Sequence, residues 1–209
     1  MLKVYEKLLT LNKRYLSGRE IARVLGITPA SRRVTLFRLA KRKVLRRLRR
    51  DLYEVMLKPS DLLEVANILY RPSYLSFVYC LGKLGILNQI AYEIEFASPK
   101  KTKRMEIRGR TVIFRKMNKK LFFGYILKDN VFIAEPEKAL LDTLYIKLKG
   151  LTELNEEELN LGDLSKDKFL EMSKKFPRDL QKEAKRIALS FKPHNNVSNN
   201  PHQLYPMQI

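Results

Sequence analysis

SGREIARVLGITPASRRVTLFRLAKRKVLRRLRRDLYEV, residues 17–55, is the stretch on which the fold turns. Ser17 is an N-cap, and Glu20 three residues later completes a capping box. The helix that follows runs to about Leu25, with Ile21, Ala22 and Leu25 facing inward. Ala22 is small where two helices must approach closely. Gly26 supplies the turn, because glycine adopts a positive φ most readily, and Ile27 is expected in the core beneath it. Thr28-Pro29 restarts the chain as a cap followed by proline at the first helical position. The third helix, about residues 29–42, has Leu36, Leu39 and Ala40 on one face. At about 100° per residue, Ser31, Val34, Thr35, Arg38, Lys41 and Arg42 fall opposite, with Arg32 and Arg33 in the exposed first turn. Residues 44–55 then alternate as a β-hairpin, with Arg49-Arg50-Asp51 at its tip. The competing reading is one helix continuing through the arginine run, since LRRLRR also fits a helical stripe.

Upstream, residues 1–12 carry Leu2, Tyr5, Leu8, Leu9 and Leu11 at helical spacing, which predicts a first amphipathic helix. Three helices and a basic hairpin in this order predict a winged helix-turn-helix. Lys43 stands where glycine often closes the third helix, a departure from that pattern. Charge is focused here: residues 1–58 hold 17 Lys/Arg against 4 Asp/Glu, a net +13 of the chain's +20, while 59–150 carry +7 and 151–209 none. A focused excess points to a phosphate-binding face rather than to solubility alone. Arg38, Thr35 and Ser31 are the expected readers of base edges in a major groove. Arg32, Arg33, Lys41 and Arg42 are expected on phosphates, with Arg46, Arg47, Arg49 and Arg50 on the wing. The plainer alternative is a solvated basic helix face.

Hydrophobic residues make up 45% of the 209, enough for a packed core. The single cysteine, Cys80, excludes an internal disulfide and suits a reducing, cytoplasmic setting. No apolar run is long enough to cross a bilayer, and no signal-peptide core opens the chain, so no membrane partner is expected. No metal and no cofactor are expected. The only histidines, His194 and His202, lie in a polar tail, and neither phosphate-cradling glycine motif is present. Glu135, Glu137 and Asp142 form a carboxylate cluster in sequence. Their simpler roles are acids at a helix N-terminus and a Lys138–Asp142 pair one turn apart, so no enzyme activity is expected. Tyr70, Tyr74 and Tyr79 with Arg71 fit either a stacking platform for single strands or core packing.

In the middle segment, Pro59-Ser60-Asp61 breaks the chain and caps a helix from Leu62 to about Tyr70. Arg71-Pro72-Ser73 stops it and caps another from Tyr74 to Leu84, ending at Gly85. Residues 90–97, 111–115, 122–125 and 131–134 read as strands, the last two around the turn Lys128-Asp129-Asn130. Lys100, Lys101, Lys103, Arg104, Arg108 and Arg110 form a candidate second nucleic-acid surface, either a hairpin-tip loop or part of a longer strand pair. Glu135-Pro136-Glu137 opens a helix over residues 136–149. Helix starts follow at Ser165 and Pro177, and Leu180, Ala184, Ile187, Ala188 and Phe191 give the last helix an apolar stripe. That stripe is expected against the middle core, with a dimer interface as the alternative. Residues 192–209 are rich in Asn and Pro and are expected to be disordered.

Three stretches together resemble the AbiEi family of antitoxins from type IV toxin–antitoxin systems. They are the N-terminal helices and hairpin, YRPSYLSFVYCLGKLGIL (70–87), and FFGYILKDNVFIAEPEKALLDTLYIKLKG (122–150). The resemblance spans about residues 1–150 and implies an α+β protein. With the residue pattern after 150, the expected parts are a winged helix-turn-helix (1–58), an α/β antitoxin-like domain with C-terminal helices (59–191) and a tail (192–209). It also implies a repressor that binds inverted repeats in double-stranded DNA at its own operon. Such a repressor counters a nucleotidyltransferase-type toxin without a stable complex. The competing expectation is a plain winged-helix regulator with an effector or dimerisation domain.

Overall fold

The computed structural model describes residues 2–56, 60–88 and 91–191. Expectations placed on Pro59, Ile90, His194, His202 and the tail 192–209 lie outside the described residues. The described chain is mixed α+β, with eight α-helices and two sheets.

The first part comprises α1 (Leu2–Leu9), β1 (Tyr15–Leu16), α2 (Gly18–Leu25), α3 (Pro29–Lys41), β2 (Leu45–Arg49) and β3 (Leu52–Val55). The hairpin reading holds over the continuous helix. Lys43 at φ 55° ends α3 without a glycine, and Asp51 at φ 55° turns the chain between β2 and β3. Arg49 belongs to β2, so the tip is Arg50-Asp51. Sequence reading missed β1, a two-residue strand that pairs with β3 and completes an antiparallel sheet of order β1-β3-β2. Leu8, Leu16, Ile21, Leu36, Leu39, Val44 and Val55 close one hydrophobic core over this sheet. Ile27 is half-buried and outside that core, because the Gly26 turn carries it to the rim.

The second part holds α4 (Leu62–Leu69), β4 (Tyr74–Leu75), α5 (Phe77–Lys83), β5 (Ile94–Ser98), β6 (Lys103–Ile107) and β7 (Arg110–Lys116). It continues with β8 (Tyr125–Lys128), β9 (Val131–Ala134), α6 (Pro136–Lys147), α7 (Lys166–Ser173) and α8 (Arg178–Ile187). Its sheet runs β6-β7-β5-β4-β9-β8, with parallel pairs β5/β7 and β4/β9 among antiparallel ones. The expected helix from Tyr74 is corrected. Tyr74 pairs with Ala97, and Leu75 pairs with Phe96 and Ile133, so both lie in a central strand and the helix starts at Phe77. Phe122 to Gly124 form a loop rather than a strand, turned by Gly124 at φ 67°. The basic stretch is a strand pair: β6 and β7 meet at an Arg108-Gly109 turn in which both residues have positive φ.

A buried polar cluster ties α6 to β4. Asp142 accepts from the Tyr74 hydroxyl (2.8 Å) and the Ser76 hydroxyl (2.9 Å), and it pairs with Lys138 one turn back. All four side chains are buried, and burial pushes the Asp142 carboxyl up from its ordinary value. The expected Lys138–Asp142 pair is therefore present, inside the core rather than on a helix surface. Leu180, Ala184, Ile187, Ala188 and Phe191 pack into this larger core, as the apolar stripe predicts.

Candidate nucleic-acid interface

The geometry of α3 begins with its caps. Ser17 accepts from the Glu20 N–H (3.1 Å) while the Glu20 carboxylate accepts from the Ser17 N–H (2.8 Å). That backbone contact, with Lys13 and the Ser17 hydroxyl, holds the Glu20 carboxyl down to about 2. Gly26 at φ 67° ends α2, and Thr28 accepts from the Ser31 N–H to start α3 with Pro29 in its first turn. Leu36 and Leu39 fix the phase of α3 by their burial.

That phase exposes Arg33, Val34, Phe37, Arg38 and Lys41. Phe37 is 68% exposed and Val34 49%, unusual for apolar residues at the centre of a helix that also packs on a core. Sequence reading passed over Phe37 because it follows Leu36 as if it continued the apolar stripe. Only the helical phase separates the two.

The hairpin stands beside this face, and its tip is latched to α2. The Asp51 carboxylate accepts from the Gly18 N–H (3.0 Å), at the start of α2, where an acid suits the helix dipole. A Cβ on Gly18 would lie 2.7 Å from that carboxylate oxygen and 2.9 Å from Leu36, so the approach requires glycine. Between α3 and the hairpin lies an open groove of about 910 Å³. Arg19, Arg32, Arg33, Arg47 and Arg50 line it together with Phe37, and among the described residues the one acid there is Asp51, already engaged by Gly18. Among the described residues, none of these five arginines makes an ion pair. Arg19 is not singled out by the sequence pattern; it sits in the first turn of α2 and joins the groove only through the hairpin latch.

The other expected contacts divide. Arg38 is exposed on the flank of α3 away from the groove, and Thr35 on the same flank is half-buried. Ser31 is exposed in the first turn of α3, with its hydroxyl 2.9 Å from that of Thr28. Lys41 and Arg42 are exposed at the end of α3, and Arg49 is exposed on β2. Arg46 faces Glu54 across the sheet at 3.5 Å, away from the groove.

The residues of the candidate second surface are all exposed, and several also make contacts within the protein. Arg108 donates to both oxygens of Glu54 (2.8 and 2.9 Å) and to the Ser60 carbonyl (2.6 Å), which pins the tip of β6–β7 to β3. Burial raises the Glu54 carboxyl, but Ser60 and Arg108 more than offset this and hold it below its ordinary value. Arg104 pairs with Glu93 at 2.6 Å. Arg110 donates to the Tyr92 carbonyl at 3.2 Å. Lys100 and Lys103 lie over the Tyr70 ring at 5.4 and 5.6 Å, and Lys101 is exposed.

The tyrosines take the core reading. Tyr74 is fully buried and stacks on Tyr125 at 4.7 Å, and Tyr70 packs on Phe114 at 4.8 Å. Glu135 and Glu137 both pair with Lys168 (2.8 and 3.2 Å). Among the described residues no cluster of His, Cys, Asp or Glu is arranged to hold a metal, and no helix is long and apolar enough to cross a membrane. Comparison with protein-family models and with curated proteins finds no match to this chain.

Proposed function

We propose that the N-terminal part is a winged helix-turn-helix and that the protein is a sequence-specific DNA-binding repressor. The observation that carries this is the α3 face: exposed Val34 and Phe37 set among arginines without carboxylate partners, beside a hairpin that adds Arg47 and Arg50. A helix of this width fits a major groove. Arg33 and Arg38 on its two flanks suit guanine edges, and Phe37 and Val34 suit thymine methyls. Arg32, Arg47, Arg49 and Arg50 suit phosphates on either side.

The second part of the proposal is that this repressor is the antitoxin of a type IV pair. It would autoregulate its operon at inverted repeats and oppose a nucleotidyltransferase-type toxin without a stable complex. Its support is the resemblance of residues 70–87 and 122–150 to the AbiEi family, segments that here form β4–α5 and β8–β9–α6. The plain regulator without antitoxin activity remains the competing reading, favoured by no particular contact.

A mobility-shift titration on the DNA upstream of this protein's own gene, against random duplex at two salt concentrations, tests the first part. Selective binding that survives moderate salt is the expected result. Equal binding to both duplexes that collapses with salt would reduce the α3 face to an electrostatic anchor. Co-expression with the neighbouring gene tests the second part: relief of growth arrest is expected, and its absence leaves the plain regulator.

A further inference from the structure

A second basic concavity lies on the other part of the molecule. Two adjoining open cavities of about 580 and 160 Å³ share Lys116, Tyr145 and Lys149. Lys119 lines the larger and Thr102 the smaller, and among the described residues no aspartate or glutamate lines either. Lys116, Lys119 and Lys149 are all exposed, and among the described residues none of the three makes an ion pair. Lys149 is held in place: its ammonium lies 4.0 Å above the Tyr145 ring centre and donates to the Tyr145 hydroxyl at 2.7 Å. A lysine fixed over an aromatic at the edge of a basic trough is a preorganised cation, since less side-chain freedom is lost when an anion arrives.

The end of α6 also reaches this trough, and helix C-termini repel anions. Here that effect is blunted. The Ile146 carbonyl accepts from the N–H groups of Lys149 (3.2 Å) and Leu151 (3.0 Å), and the Lys147 carbonyl accepts from Gly150 (2.8 Å). The lysines therefore set the sign of the potential.

The trough is remote from the α3 face. Strand β7 begins next to the Arg108-Gly109 turn, which is pinned to β3, and ends at Lys116. The six steps from Arg110 to Lys116 span about 20 Å at about 3.3 Å each. That distance from the pinned turn exceeds a Debye length of about 8 Å at physiological salt, so the charges at the far end of β7 are screened from those beside β3.

We propose that this trough binds the phosphodiester backbone of a single-stranded nucleic acid. Its elements are a strand end, a short 3-10 turn (Lys119–Leu121) and a helix end. None of these projects to enter a duplex groove. An open trough with cations along it follows a chain rather than enclosing a small ion. The inference does not depend on the reading of α3.

The test uses the full chain and a fluorescently labelled uridine oligomer, with anisotropy as the readout. Lys116→Glu/Lys149→Glu is expected to weaken oligomer binding at least about tenfold and to flatten the salt dependence by about 0.7 for each phosphate no longer neutralised. Duplex binding is expected to be unchanged. Arg33→Ala/Arg50→Ala should do the reverse, so failure of one site is read separately from failure of the other. Lys182→Glu/Lys185→Glu on α8 gives the same charge change elsewhere. Equal loss in that control, or unchanged oligomer binding in the trough variant, overturns the proposal. So does full displacement of the oligomer by a mononucleotide at equal phosphate concentration, which would make the trough a nucleotide site.

Discussion

Residues 32–50 and residues 100–115 are both dense in lysine and arginine, yet the fold engages the arginines of the two stretches differently. Along α3 and β2, the arginines of the groove face solvent with no carboxylate paired to them among the described residues. Along β6, β7 and the turn between them, Arg104, Arg108 and Arg115 are each matched to an acid: Glu93, Glu54 and Glu95. The difference comes from architecture rather than composition. Glu95 meets Arg115 across the neighbouring strands β5 and β7, Glu93 precedes β5, and Glu54 reaches the Arg108 turn from β3. A helix packed by one face onto a small core leaves the opposite face with no neighbour. Charge counted along a sequence is thus not charge available to a partner. Paired cations should carry stability and little binding; unpaired ones should do the reverse.

The largest effect is expected where pairing is deepest. Asp142→Ala leaves Lys138 buried without its counter-charge and should cost about 3–5 kcal/mol. Denaturant unfolding measures it. Replacing both partners, as in Lys138→Met/Asp142→Leu, should recover much of the loss, since the charge burial then disappears. A double variant no more stable than the single would show that the hydrogen bonds to Tyr74 and Ser76 matter more than the charge.

Arg108→Ala should come next, at about 2 kcal/mol, because Glu54 keeps its Ser60 contacts and Arg46 at 3.5 Å. Its pH dependence has a definite sign. Glu54 has a lowered folded value, so its contribution is present above the unfolded carboxylate range and is lost as pH falls through the folded value. The wild type should therefore lose more stability than Arg108→Ala between neutral pH and the acid limb. Parallel acid-unfolding curves for the two would contradict the pairing.

Gly18→Ala probes the latch between the hairpin and α2. The new methyl meets Asp51 and Leu36, and overpacking of this kind costs about 1–2 kcal/mol. If the latch sets the hairpin's position, duplex affinity should fall more than stability does. Unchanged duplex affinity with lowered stability would remove the hairpin from the interface.

How legible these regions were in the sequence follows the range of the interactions that build them. The caps at Ser17 and Thr28, the Gly26 turn and the Lys138–Asp142 pair join residues a few positions apart, and local spacing shows them. Strand β4 is two residues long and exists only through partners at Phe96, Ala97 and Ile133, so its YL reads as the start of a helix. The role of Arg108 was hidden for the same reason: Glu54 lies 54 positions away. Phe37 was missed through phase, since one residue of helical rotation separates a core position from the exposed face.

The smallest stability effect should accompany the clearest functional one, on the α3 face. Arg33→Ala and Arg38→Ala remove exposed side chains that make no ion pair among the described residues and should change stability by no more than about 0.5 kcal/mol. Their duplex binding should separate them from Arg49→Ala. A base-edge contact contributes about 1–3 kcal/mol of discrimination, so its removal weakens the preferred site more than random duplex. Arg49→Ala takes a cation off a phosphate, which should weaken both duplexes alike and lower the salt slope by about 0.9. Arg33 borders the groove and Arg38 lies on the far flank, so the pair also reports how α3 sits on the duplex. Selectivity that disappears only with Arg33→Ala would tilt the helix toward the hairpin, and selectivity that disappears only with Arg38→Ala would tilt it away. Uniform weakening in both would mean that these two arginines hold the backbone alone, leaving base discrimination to the other side chains of this face, Val34 and Phe37 first among them.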